Sequence, residues 1–335
     1  MDRPPNHPAI PKRRVGVLLM NLGTPDDPSP RAVRRYLAEF LSDRRVVEIP
    51  PIAWQPILRG IVLNTRPKKS AHAYRQIWSD RGSPLAAITQ AQSEAMQGAF
   101  GADVVIDWAM RYGNPSIASR IDALRAQGCD RILLAPLYPQ YCAATTATAN
   151  DKAFAHLARQ RWQPAIRTLP PYYDDPLYID ALAMTLRDDL ARLAFEPDAI
   201  VASFHGMPKR TLALGDPYHC HCQKTARLVQ EAIGRPLTVA FQSRFGPAKW
   251  LGPATDETLV ELAKAGKRRV AIFAPGFSAD CLETLEELAI RGRESFEEAG
   301  GTDFAYLPCL NAEPAGNKML RNIIARELAG WIDPA

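Results

Sequence analysis

The sequence predicts an α/β protein built from two related lobes, each a parallel sheet flanked by helices, and three observations lead there. Short apolar runs rich in Leu and β-branched residues alternate with stretches of helical period, the pattern of parallel strands joined by crossover helices. Three strand-end signatures recur in the same order. Leu22-Gly23-Thr24-Pro25 is answered by His205-Gly206-Met207-Pro208, Arg111-Tyr112-Gly113 by Arg244-Phe245-Gly246, and Ala135-Pro136-Leu137-Tyr138 by Ala274-Pro275-Gly276-Phe277. The chain, at 335 residues, is also long enough for two lobes of ordinary size with a substantial core.

In chain order, the strands are expected at Val15–Asn21, Val104–Met110, Arg131–Leu137, Ile200–Phe204, Leu237–Gln242 and Arg269–Ala274. The helices are expected at Pro30–Ser42, Ile88–Ala99, Ser116–Gln127, Asp175–Leu193, Thr255–Ala265 and Leu282–Ala299. Many of the 29 prolines follow apolar runs, where they end strands and shape loops. The lobes divide at 14–160 and 161–335, with the last helix packing back on the first lobe. Leu22 and Arg111 lie 89 residues apart and His205 and Arg244 only 39, so the first lobe carries about 50 extra residues, an insertion at about 31–85. Within it Pro50–Leu63 reads as a lip over a cleft, exposing Ile52, Trp54, Ile57 and Leu58 beside Arg59, a surface suited to peripheral membrane contact.

Composition narrows the function. Hydrophobic residues at 47% and charged residues at 23% describe a globular chain, and a net charge of +5 without a long basic block does not suggest nucleic-acid binding. The apolar run Val15–Met20 falls far short of the ~20 residues that span a bilayer. Lys12, Arg13 and Arg14 precede it, but Asn21 and Gly23 follow too soon for a secretory core. Six cysteines without a tight framework suit a reducing compartment, so the expected location is the cytoplasm. Gly-x-Gly-x-x-Gly, Walker-type, His-Glu-x-x-His and Gly-x-Ser-x-Gly motifs are all missing.

In open parallel sheets ligands bind beyond the carboxyl ends of the strands, where the recurring signatures sit. Comparing the lobes there, Leu22 stands opposite His205, and Tyr141 and Ala144 opposite Asp280 and Glu283. Ionisable groups gather in the second lobe and apolar or aromatic ones in the first, which suits a flat apolar ligand undergoing proton or metal chemistry at its centre. Each candidate has a plainer reading. His205 alone reads as a core histidine, but Gly206 and Pro208 make its turn rigid. Asp280 and Glu283 have capping-box spacing, while Asp280, Glu283 and Glu287 also share one α-helical face and form a string for proton removal. Arg66 and Arg111 are carboxylate binders or salt-bridged surface residues, and Trp250 is a stacking platform or a core aromatic. His219-Cys220-His221-Cys222 offers four metal ligands in succession, but adjacent side chains do not converge readily.

The segment IVASFHGMPKRTLALGDPY at 200–218 resembles the signature of the ferrochelatase family, enzymes that insert Fe2+ into a porphyrin. So do LLMNLGTP at 18–25, GSPL at 82–85, AMRYGNPSI at 109–117, PLYPQY at 136–141, QSRFGP with WLGP across 242–253, and DCLETLEE at 280–287. The resemblance implies a chelatase-like pair of Rossmann-like lobes and insertion of Fe2+ into protoporphyrin IX to form protohaem, with two protons released. It implies His205 and Glu283 as the catalytic and metal-binding pair. Leu22, Arg66, Tyr74, Ser83, Arg111, Tyr112 and Trp250 would line the porphyrin, with Arg66 or Ser83 near its propionates, and Asp280 and Glu287 would carry protons away. Fe2+ is a substrate and no cofactor is required. Some family members hold a 2Fe-2S cluster; no cysteine follows Cys309 here, so Cys220 and Cys222 would have to carry one, and a protein without a cluster is the expectation. Transient contact with the preceding haem-pathway enzyme is implied. The rivals are a chelatase for coproporphyrin or sirohydrochlorin, which would need more cations than Arg66 and Arg111, and a tetrapyrrole carrier without turnover.

Overall fold

The computed structural model describes residues 13–244, 246 and 248–332, so Lys12, Phe245 and Pro247 of the motifs above lie outside the described residues. The first lobe runs β1 (Arg14–Gly23), α1 (Pro30–Leu41), α2 (Pro51–Ile57), a π-helical turn (Leu58–Val62), α3 (Leu63–Ile77), α4 (Pro84–Met96), β2 (Val104–Tyr112), α5 (Ile117–Ala126), β3 (Cys129–Pro136), a second π-helical turn (Ala143–Ala147), α6 (Thr148–Leu157) and β4 (Ala165–Thr168). After α7 (Pro176–Arg192) come β5 (Ala199–His205), α8 (Lys209–Ala213), α9 (Tyr218–Ile233), β6 (Thr238–Gln242), α10 (Thr255–Lys264) and β7 (Arg269–Phe273). The chain continues through a π-helical segment (Glu283–Gly292), α11 (Arg293–Glu298), β8 (Asp303–Leu307) and α12 (Pro314–Glu327).

The sheets are ordered β2-β1-β3-β4 and β6-β5-β7-β8, with every pairing parallel. Strand for strand this is one topology used twice, the α/β architecture expected from the recurring signatures. β1 and β5 are central and almost wholly buried, which is why they read as unbroken apolar runs. The edge strands β4 and β8 escape a sequence reading because they span only four and five residues and are only partly buried. Helix starts follow local chemistry: the Ser29 hydroxyl accepts from the Ala32 N–H (3.2 Å) and the Asp175 carboxylate from the Leu177 N–H (2.9 Å), each just before a first-turn proline. The run α2–α3 was hidden by Pro56 and Pro67. Pro67 cannot donate to the Leu63 carbonyl, and the Arg34 Nε–H of α1 takes that acceptor at 3.1 Å.

The largest core lies between the lobes. Val15, Val17 and Leu19 of β1 join Ile200, Ala202 and Phe204 of β5, with apolar side chains of α7, α9 and α12 completing the cluster. Separate clusters cover the outer faces of the two sheets, and another forms inside the insertion. α12 packs on α7 and on α4, and Arg167 lies 4.3 Å over the Trp331 ring while donating to the Glu327 and Ala329 carbonyls. Phe204, fully buried in the shared core, sets a stability prediction. Phe204→Ala should cost about 3–5 kcal/mol in chemical denaturation; a loss below about 1 kcal/mol would mean that the lobes do not depend on this core.

The insertion corrects one expectation. Trp54 and Leu58, read as exposed, are 7% and 1% exposed, and the indole N–H donates to the Leu41 carbonyl at 2.6 Å. The exposed row is instead Ile49, Ile52, Ile57 and Ile61, with Ile52 at 89%. Helical winding explains the buried set: Trp54, Leu58 and Val62, four residues apart, share the face that meets α1. No helix among the described residues is long and apolar enough to cross a membrane.

Candidate active site

His205 ends β5, opposite Gln242 in the ladder. The next residue must be glycine: a Cβ on Gly206 would lie 2.5 Å from the Gln242 carbonyl oxygen and 3.3 Å from the Trp250 ring, while the Gly206 N–H donates to that same carbonyl at 2.7 Å. The His205 Nδ1 lies 2.7 Å from the Gly206 carbonyl. A carbonyl only accepts, so Nδ1 carries the hydrogen and the neutral ring keeps its lone pair on Nε2. Trp250 is strapped to the same turn by a bridge to Pro208, with the Leu251 N–H donating to the Met207 carbonyl (2.9 Å) and the Lys209 N–H to the Lys249 carbonyl (2.7 Å).

Gln242 connects this turn to the carboxylate helix. Its side-chain oxygen accepts from the Ser203 hydroxyl (2.8 Å), and its amide donates to the Glu283 carbonyl (2.6 Å). Ser243 adopts a left-handed backbone, φ 62°, uncommon for a residue with a side chain. That conformation aims both its N–H and its hydroxyl at the Glu287 carboxylate, each at 2.6 Å. Burial pushes the Glu287 pKa up, and the Ser243 hydroxyl, the neighbouring His205 charge and Arg291 offset only part of that rise. Glu283 faces the other lobe: its charge reaches the buried phenols of Tyr36 and Tyr74, and its neighbour Leu282 packs on their apolar cluster.

Asp280 departs from its capping reading. It caps no helix, because helical backbone begins beyond it and no side-chain cap is formed; the Asp280 N–H instead donates to the Asn311 side chain at 2.8 Å. The buried carboxylate accepts from Thr284 Oγ1 (3.0 Å), the Asn311 amide (2.7 Å) and the Tyr306 hydroxyl. On an α-helix wound from Asp280 onward the three carboxylates would share one face. The π-helical winding of 283–292 keeps Glu283 and Glu287 on one side and leaves Asp280 outside as the anchor of the loop.

The first-lobe wall is apolar and hydrogen-bonded within itself. Leu22 packs on the cluster holding Tyr36, Trp54 and Tyr74, and the Tyr74 ring meets Trp78 edge-on at 6.1 Å. The Thr24 hydroxyl donates to the buried Ser83 hydroxyl at 2.8 Å. Arg66 stands half-buried on α3, where desolvation lowers its pKa. Arg111 lies 4.2 Å over the Tyr112 ring, pairs with Asp43, and donates to the Thr148 carbonyl (3.0 Å) and hydroxyl (2.7 Å). The fully buried Tyr112 hydroxyl donates to Asp43 at 2.9 Å. Burial raises the Asp43 pKa, but hydrogen bonds from Thr148, the Arg45 N–H and Tyr112, together with the Arg111 charge, hold it below the ordinary carboxylate value. Asp43 and Ser243 are functional-site candidates that sequence reasoning did not single out; Asp43 sits in no motif, Ser243 lies within QSRFGP without a role of its own, and each acts on a residue 44 or more positions away.

The structure thus brings together His205, Trp250, Glu283 and Glu287 through Gln242 and Ser243, and Leu22, Tyr74 and Leu282 through the insertion cluster. It spreads the His-Cys-His-Cys run apart. His219 lies against Phe241 (5.8 Å), Cys220 is exposed, His221 stacks on Tyr173 (3.6 Å) and accepts from the Tyr141 N–H, and Cys222 is buried with its thiol pushed well up by desolvation. Among the described residues no three His, Cys, Asp or Glu side chains form a group that could hold a metal ion.

The Ferrochelatase family profile matches residues 14–328. The Ferrochelatase of Rhizobium meliloti (strain 1021) is 57% identical over 339 residues, covering 99% of this chain and 100% of that protein. The Ferrochelatase of Agrobacterium fabrum is 55% identical, covering 98% of each. Among solved structures, SirB from Bacillus subtilis with Fe3+ superposes with a TM-score of 0.58 at 15% identity, over 95% of this chain and 97% of that one. CbiX, described as the terminal enzyme for biosynthesis of sirohaem in denitrifying bacteria, does so with a TM-score of 0.51 at 12% identity, over 94% and 100%. At these identities the two structures speak for the fold alone.

Proposed function

Because this chain belongs to the ferrochelatase family, we infer that it inserts Fe2+ into protoporphyrin IX to form protohaem, releasing two protons. The observation that carries the assignment of its centre is the Gln242 link, which ties the His205 turn to the start of the Glu283 helix across β6. The porphyrin lies between these second-lobe groups and the first-lobe wall, lined by Leu22, Arg66, Tyr74, Ser83, Arg111, Tyr112 and Trp250. Arg66 or Ser83 serves the propionates.

The chemistry follows from the residue types. Two pyrrole N–H bonds break and release two protons as Fe2+ binds all four ring nitrogens, and a flat ring hides the nitrogen lone pairs, so catalysis needs the ring held out of plane. Rigid walls serve that need: Trp250 is fixed by its strap and Tyr74 by the insertion cluster. His205 Nε2 accepts a pyrrole proton and passes it to Glu287, whose carboxylate burial makes more basic than an exposed one. Glu283 ligates incoming Fe2+, and Asp280 anchors the loop from which its helix starts. The protein works without a cluster, in the cytoplasm at the membrane surface, and receives its porphyrin by transient contact with the preceding haem-pathway enzyme.

The decisive experiment is anaerobic incubation of the purified protein with protoporphyrin, coproporphyrin and sirohydrochlorin in turn. Porphyrin fluorescence should fall only when Fe2+ or Zn2+ is added, and fastest with protoporphyrin. Binding of porphyrin without metal-dependent turnover would make the protein a carrier, and preference for a more carboxylated ring would change the substrate.

Membrane contact rests on Ile49, Ile52, Ile57 and Ile61, exposed beside Arg59. Ile52→Asp with Ile61→Asp should abolish sedimentation with anionic vesicles at low salt and leave turnover on detergent-dispersed porphyrin intact. Unchanged sedimentation would remove this surface from the mechanism.

A further inference from the structure

Where both lobes meet lies a small cavity of about 10 Å³. Its lining comes from α4 (Gln92), the loops after β3 and β4 (Pro139, Tyr172), the loop after β7 (Ser278) and the start of α12 (Gly316, Met319). Three of its polar atoms, Gln92 Oε1, the Tyr172 hydroxyl and Ser278 Oγ, are buried with no hydrogen-bond partner among the described residues. Gln92, Tyr172 and Ser278 are all more than nine-tenths buried, at 1%, 3% and 7% exposure.

The rest of the node is fully paired. The Gln92 amide crosses between lobes to donate to the Ser278 carbonyl (3.1 Å) and the Asn311 carbonyl (2.9 Å), and the Tyr178 hydroxyl donates to the Pro275 carbonyl. Buried polar groups are nearly always satisfied, and an unpaired trio gathered on one cavity is the signature of a bound polar molecule rather than of an apolar void. The volume matches about one water centre and excludes anything larger.

We propose that a single internal water molecule occupies this cavity and joins the two lobes by hydrogen bonds to Gln92 Oε1, the Tyr172 hydroxyl and Ser278 Oγ. Gln92 Oε1 only accepts, so the water donates one hydrogen to it. The two hydroxyls then share its second hydrogen and a lone pair, one accepting and the other donating. This makes three bonds, the number typical of buried waters. Through the Gln92 amide the water braces Asn311, whose side chain in turn holds Asp280 at the base of the carboxylate helix.

The sign of one substitution tests the proposal. Tyr172→Phe keeps the ring and its edge-on contact with Tyr178 at 5.4 Å and deletes only the hydroxyl. With the water present, the change removes one of its three bonds, and the unfolding temperature of the full chain should fall by about 1–3 °C. With the cavity dry, the change relieves an unsatisfied buried group, and the unfolding temperature should rise. A high-resolution crystal structure supplies the second measurement: density for one water at about 2.6–3.2 Å from all three atoms is expected. A rise in unfolding temperature, or side chains paired with one another around an empty cavity, would overturn the proposal.

Discussion

His205→Ala is expected to slow metal insertion by about 10²- to 10⁴-fold, the usual cost of losing a positioned proton acceptor, while porphyrin still binds. The reason is geometric. The Gly206 carbonyl holds the hydrogen on Nδ1, so Nε2 is the accepting atom, and alanine removes that atom without disturbing the Gly206 contact with Gln242 that shapes the turn. Porphyrin affinity rests on the many apolar contacts of a large flat ring, of which His205 supplies few. Steady-state rates with Zn2+ or Fe2+ should therefore collapse while fluorescence quenching on porphyrin binding keeps its midpoint. Full turnover in the alanine variant would mean that the reacting centre lies elsewhere in the cleft.

Glu283→Gln should bring a loss of similar size, about 10²-fold or more, and it separates chemistry from architecture. The helix start does not depend on this side chain as a cap, and the bond from the Gln242 amide goes to the Glu283 backbone carbonyl, which glutamine retains. Glutamine keeps volume and shape but can neither hold a proton nor offer a charged oxygen to Fe2+. Unfolding temperature should stay near that of the parent while turnover falls. A variant that keeps its rate would make Glu283 a wall residue facing Tyr36 and Tyr74.

Much of this could be read before any fold was known. The central strands β1 and β5 are covered on both faces, so they must be written as apolar runs, and their ends must be written with Gly and Pro because neighbouring strand ends approach closely. Gly206 shows the point: the room for a Cβ is already taken by Gln242 and Trp250. Since both lobes solve the same problem in the same order, His205 and Glu283 stand out as ionisable residues where the first lobe has Leu22 and Ala144.

The features legible in residue order are therefore local: the α/β class, the doubled strand-end signatures and the place of the ionisable groups along the chain. Tertiary structure alone decided which side chains those groups meet. Trp54 and Ile52 look equally apolar in sequence, and only contact with α1 buries one and leaves the other in solvent. Asp280 has the spacing of a cap, yet Asn311, Thr284 and Tyr306 hold it for another purpose. Asp43 gives no local sign of importance until folding sets it against Arg111 and Thr148. The physical reason is common to all three: periodicity and turn chemistry act over a few residues, whereas burial and electrostatics depend on distance in space, which the chain's order does not encode.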